Sequence, residues 1–175
     1  RFVFTDSVKH FAEEKQACPS FSLSRKMKMK KRYREAAELY NDGFHDAALF
    51  ILNDLSDSGH GGATYALHLH FASLCDDINS AAALARGVEI GNTRCVVQQA
   101  LHLATSNVND AWVILEPKAS GRRGCLAAGT LQCMMGDEVV AVKYFARGWL
   151  VFDLQECAAC VCNVLVTCQG RIRYG

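Results

Sequence analysis

The chain has 175 residues, half of them apolar, with thirteen glycines, nine cysteines and two prolines, Pro19 and Pro117. That length fits one good-sized domain and is marginal for two. The apolar half argues against wholesale disorder, and the shortage of proline argues against collagen-like or linker-dominated chains. Apolar runs stay well short of the roughly eighteen residues a membrane-spanning helix needs, so no such span is expected.

The formal net charge of +1 is an average over unlike parts. Residues 1–24 carry three basic and three acidic residues and show no sustained period, yet hold Phe2, Phe4, Phe11 and Phe21. An aromatic-bearing extension of this kind looks like a segment that orders against a partner. Next comes RKMKMKKRYR, with Arg25, Lys26, Lys28, Lys30, Lys31, Arg32 and Arg34 as seven basic residues in ten, no acid, and Tyr33 among them. A solvated helix start is the plain account of such a run. Seven like charges repel one another, however, so a neutralising partner is favoured: RNA, an anionic membrane surface or an acidic protein face. From Glu35 to Gly175 nine Lys/Arg stand against fifteen Asp/Glu, a net of −6. The predicted division is an extended, basic N-terminal segment over 1–31 and a helical-repeat domain over 32–170.

The acidic body repeats. GHGGATYALHLHF from Gly59, GNTRCVVQQALHL from Gly91, GRRGCLAAGTLQC from Gly121 and DLQECAACVCNVL from Asp153 align without gaps, their starts 32, 30 and 32 residues apart. Four residues into each stands a small residue, Ala63, Cys95, Cys125 and Cys157, and ten residues in stand Leu69, Leu101 and Leu131, with Asn163 breaking the series. Between them lie HDAALFILNDLSDSG, INSAAALARGVEIG, NDAWVILEPKASG and EVVAVKYFARGWLVF, and the pieces LARG at Leu84 and FARG at Phe145 recur 61 residues apart. Each period holds two stretches, apolar at helical spacing and separated by Gly, Asp, Asn or Ser, while strand alternation is weak. The pattern predicts an all-α fold: antiparallel helix pairs, about four of them, that must stack because one pair cannot bury its own apolar face.

A helix ending in a small-residue–glycine turn, then Ala or Cys four residues on, then a leucine-bearing helix, resembles the Sel-like repeat family. The matching positions are Gly59, Gly91 and Gly121 for the turn, and Ala63, Cys95, Cys125 and Cys157 for the small contact. Leu67 fits the leucine at the next turn, whereas Gln99, Gly129 and Val161 depart from it, and His68, Ala100, Thr130 and Cys162 stand where a second glycine pair belongs. The resemblance spans roughly Arg32 to Cys168 and implies a right-handed α-solenoid that serves as an adaptor or scaffold, related to tetratricopeptide repeats. Cysteine-rich secreted relatives pair cysteines across the inter-repeat turn. Here Gly87, Pro117 and Trp149 occupy the partner positions, so that pairing is absent. Together with the odd cysteine count, this favours a reducing, intracellular setting.

Catalytic and metal signals are thin. Cys157 and Cys160 share a helical face in CAACVC, with Cys162 next to them, but no second CxxC or finger-spaced His completes a zinc site. Small packing cysteines are the better account. His68 and His70 point to different helical faces, and His60 opens the same helix. A Cys75–His70 nucleophile pair would lack an orienting group and an oxyanion site. No GxGxxG or GxxxxGK[ST] is present, so no cofactor is expected. A body of −6 repels phosphate, which argues against base-by-base RNA reading by the repeats. Phosphate contact through Arg25–Arg34, with Tyr33 stacking, stays physically sensible. The apolar C-terminal helix ECAACVCNVLVTC is expected to be covered by another helix or subunit. The resulting expectation is a non-enzymatic protein–protein interaction scaffold, a subunit or assembly factor of a larger intracellular complex, with an RNA-binding helical-repeat protein as the alternative. The first residue is Arg rather than Met, which fits a cleaved presequence or a trimmed start, and with the basic block it suits an organellar, mitochondrial ribonucleoprotein.

Overall fold

The computed structural model describes the backbone from Pro19 to Tyr174 and the side chains from Ser24 to Leu165. The aromatic extension with Phe2, Phe4, Phe11 and Phe21, as well as Cys18 and the Cys168 side chain, lies outside the described residues. The described residues are all-α; the first two helices pack against each other, and from the fourth onward each helix packs against the next. Two compact units divide between Ala63 and Thr64.

The first unit is built on α1 (Pro19–Asn41) and α2 (His45–Asp57). Charge dominates α1, yet Met29 and Tyr33 are half-buried and Ala36 is fully buried, a narrow stripe at helical spacing. The matching stripe of α2 is Ala48, Leu52 and Leu55, all buried. Those few contacts hold a heavily cationic segment in a helix that its own charges oppose. The expected division at residue 31 falls inside α1: residues 24–31 are helical and continuous with 32–41.

In the second unit, α3 (Gly61–Ser73, whose first turn belongs to the first unit) is followed by α4 (Asp77–Glu89), α5 (Thr93–Ala104) and the short α6 (Val108–Leu115). A 3-10 turn, Glu116–Lys118, then leads to α7 (Gly124–Met134), α8 (Glu138–Phe152) and α9 (Gln155–Tyr174). Besides the sequential pairs, α5 touches α7 and α7 touches α9.

The turns have a common chemistry. Left-handed backbone falls at Gly43, Gly59, Cys75 and Gly91, each sixteen residues after the last, and again at Gly136 and Asp153. Sixteen is half the repeat period, so α1 to α4 each end in the same way, as do α7 and α8, whereas α5 and α6 end in right-handed backbone. A polar cap follows directly in four of these turns, His60 after Gly59 among them. Asp76 accepts from the Asn79 amide, Asn92 from those of Arg94 and Cys95, and Asp137 from that of Val140. Gly121, expected as a turn glycine like Gly59 and Gly91, does not adopt the left-handed conformation.

Helix crossings are set by small residues. Ala63, Cys95, Cys125 and Cys157 are all fully buried. A Cβ on Gly87 of α4 would lie 2.2 Å from Cys95 Sγ, and one on Gly148 of α8 would lie 2.4 Å from Cys157 Sγ and 3.2 Å from Cys125 Cβ. The recurring LARG and FARG pieces therefore end on the glycines that let each helix approach the repeat cysteines. The aligned leucines are not equivalent: Leu131 is fully buried, but Leu69 is 50% and Leu101 37% exposed. All three stand six residues beyond the buried small residue, on a different helical face. That face is covered only in α7, which is buried nearly all round. On α9, Cys157 is buried in a cluster with the α8 residues Ala141 and Phe145, against which Cys160, Val161 and Val164 pack, while Cys162 and Leu165 are exposed. One face of that apolar helix is thus covered and the other is not.

Candidate functional site

The basic block wraps around α1, because successive residues are about 100° apart. Its residues therefore separate into three groups. Arg25, Lys26 and Lys30 flank Met29 and Tyr33 and, with the Ser58–Gly61 turn, line an open cleft of about 720 Å³. Arg32 pairs with Asp54 of α2, both side chains about half exposed, a geometry that contributes little stability in water. Lys28, Lys31 and Arg34 are exposed.

The floor of the cleft is aromatic. The rings of Tyr33 and His60 lie 4.9 Å apart at 35°. His60 is fixed by its role as the cap of α3, its Nδ1 accepting from the Ala63 amide at 3.1 Å. Partial burial lowers its pKa from the ordinary 6.5, and protonation at Nδ1 would remove the acceptor. The unfolded chain therefore binds the proton more readily, so this stabilisation is present above the ordinary pKa and is lost as pH falls through it. Lowering pH from about 7.5 to about 5.5 should lower the urea midpoint, and His60→Asn, a non-titrating cap, should flatten that slope. An unchanged slope in the variant would show that His60 does not carry it.

The sequence singled out the block and Tyr33 but not the Ser58–Gly61 turn that completes the cleft. His60 was legible only as a helix opener, since nothing local marks it as the partner of a ring 27 residues earlier. Of the repeat-defining residues, Gly59 lines the cleft. Ala63 follows it in the first turn of α3, and Gly91, Cys95, Gly121, Cys125 and Cys157 belong to the second unit, outside this cleft.

The chain matches no protein-family model, no curated protein and no solved structure.

Cys95, Cys125, Cys157 and His68 are buried packing groups, whereas Cys75 and Cys162 are exposed. The seven described cysteines are all free thiols. Burial pushes the pKa of Cys95, Cys125, Cys133 and Cys157 up, which keeps them protonated at neutral pH and poor as nucleophiles or metal ligands. Among the described residues, no three His, Cys, Asp or Glu are placed to hold a metal ion. His68 is buried with Nδ1 3.0 Å from Ser80 Oγ and 3.1 Å from the Ser80 carbonyl oxygen, so α3 and α4 are tied by a satisfied core histidine. Cys75 is exposed in the turn after α3. No helix among the described residues is long and apolar enough to cross a membrane.

Proposed function

We propose that the chain is a non-enzymatic protein–protein interaction scaffold of the Sel-like repeat type, a subunit or assembly factor of a larger intracellular complex. In this reading the second unit continues as a right-handed solenoid of helix pairs. Three features support it: sequential packing, the further α5–α7 and α7–α9 contacts, and buried small residues at the same point of each repeat. The observation that carries the docking role is on α1. All seven of its block cations are exposed, and of these seven only Arg32 has an ion pair among the described residues, with Asp54. Ordering so many like charges on one helix leaves an electrostatic cost that an anionic partner offsets.

A second reading, RNA docking through the same helix, draws on the cleft itself. The Tyr33–His60 pair is a surface for stacking a base, and Arg25, Lys26 and Lys30 stand where the flanking phosphates would be. One experiment separates the two. The full chain and the variant Lys28→Glu/Lys31→Glu/Arg34→Glu are purified natively from the source cell, with and without ribonuclease, and their partners identified by mass spectrometry. The scaffold reading expects stoichiometric protein partners that survive ribonuclease and are depleted at least about tenfold in the variant. Partners lost to ribonuclease favour the RNA reading, and a protein that runs alone overturns the subunit role.

A further inference from the structure

The body from Glu35 onward holds nine cations against fifteen acids, yet three of those cations, Lys118, Arg122 and Arg123, fall within six residues. That stretch is also where the helical rhythm breaks. Helix α6 has only eight residues, the 3-10 turn with Pro117 follows it, and Gly121 departs from the left-handed turn conformation of Gly59 and Gly91. The irregular loop is nonetheless held in place. The Arg147 Nε–H donates to the Ser120 carbonyl at 3.0 Å. A Cβ on Gly124 would lie 2.0 Å from the Lys118 carbonyl oxygen, so the loop backbone is seated directly on the start of α7.

The three cations border an open groove of about 810 Å³ whose floor includes Pro117, Leu126 and Leu154 and whose lining also includes Glu156. Among the described residues, the structure contains no ion pair or side-chain hydrogen bond for Lys118, Arg122 or Arg123. Unneutralised cations on a fixed backbone, around an apolar floor, form a surface complementary to a mixed acidic and apolar ligand.

We infer that this groove docks an extended, acidic peptide segment of a partner protein, with an apolar side chain laid on Leu126 and Leu154 and carboxylates against Lys118, Arg122 and Arg123. The charge pattern selects the occupant. The groove attracts acid locally, whereas the surrounding body of −6 repels a long polyanion. No aromatic ring lines the groove, so an RNA strand finds no stacking surface there. Glu156 disfavours acid beside it, and the peptide is accordingly acidic on one side of its apolar residue and neutral or basic on the other.

The test is fluorescence anisotropy with the full chain and a labelled peptide of roughly ten residues, two glutamates followed by one leucine and one lysine. Saturable binding is expected, weakened at least about tenfold by Arg122→Gln/Arg123→Gln and at least about fivefold when the leucine of the peptide is replaced by serine. The peptide change leaves the protein untouched, so it remains informative if the double variant folds poorly. The α1 variant Lys28→Glu/Lys31→Glu/Arg34→Glu should bind the peptide as the unmodified chain does. Absence of saturable binding, indifference to both changes, or equal competition by a single-stranded RNA of the same charge would each overturn the assignment.

Discussion

Gly148→Ala is expected to lower the stability of the second unit by about 2 kcal/mol: overpacking near the upper end of its usual range of 1–3 kcal/mol, less the roughly 1 kcal/mol that alanine returns as the better helix former. The added Cβ would lie 2.4 Å from Cys157 Sγ and 3.2 Å from the Cβ atoms of Cys125 and Cys157. Only the sulfur contact is severe. Cys157→Ala removes it, so the double variant should recover more than half of the loss, a coupling of about 1–2 kcal/mol in a double-mutant cycle. Gly87 behaves differently. There the new Cβ meets both Cys95 Sγ at 2.2 Å and Cys95 Cβ at 2.7 Å, so Cys95→Ala leaves a clash and rescues little. Urea unfolding of the unmodified chain and the six variants decides the matter. A neutral Gly148→Ala, or equal rescue at both crossings, would show that the helices do not approach as closely as these distances require.

That contrast marks how far the sequence could be read. Helix existence was legible because apolar spacing, Gly/Asn/Asp punctuation and Ala/Leu content agree, and the eight stretches from His45 onward overlap α2 to α9 one by one and in order, with α9 running on past its stretch. The small repeat residues were legible as well: Ala63, Cys95, Cys125 and Cys157 are fully buried. What each of them touches was not. LARG and FARG stood out as a recurrence, but that their glycines sit against Cys95 and Cys157 depends on how α4 meets α5 and how α8 meets α9, which no local pattern encodes. Alignment also misled where it counted positions without faces, as with Leu69 and Leu101, half-exposed at the register where Leu131 is buried. The half-period of sixteen was hidden because its left-handed positions are not all glycine: Cys75 adopts the same conformation as Gly43, Gly59 and Gly91. In α1, seven charges masked the Met29–Tyr33–Ala36 stripe that makes the block part of the helix. Cys157, Cys160 and Cys162 read as packing residues because helices are the context, and the structure gives the first two that role.

The largest single loss is expected at Leu115. Helix α6 has eight residues, too few to persist on propensity alone, and its N-terminus is held by Asn107, which accepts from the amides of Asn109 and Asp110. The rest of its stability must come from packing. Leu115, Ala111 and Ala119 are all fully buried, in a cluster whose other buried members are mostly alanines, with Val96 and Leu131 as the larger ones. Alanine has no rotamer with which to fill a neighbour's space, so the cavity left by Leu115→Ala persists, and the cost should reach about 4 kcal/mol, the upper part of the 2–5 kcal/mol range for such truncations. Val113, two residues earlier, is 69% exposed, and its change to alanine should stay within about 0.5 kcal/mol. The damage should also be local. The Trp112–Tyr144 edge contact, with ring centroids 5.8 Å apart, ties α6 to α8, but the 3-10 turn and the loop bearing Arg122 and Arg123 hang from Leu115 and Ala119. Amide exchange is therefore expected to accelerate over 108–119 well before it does in α8 and α9, and peptide binding in the groove should weaken while helicity is still high. A loss below about 1 kcal/mol, or uniform acceleration along the second unit, would mean that α6 is held by something other than this leucine.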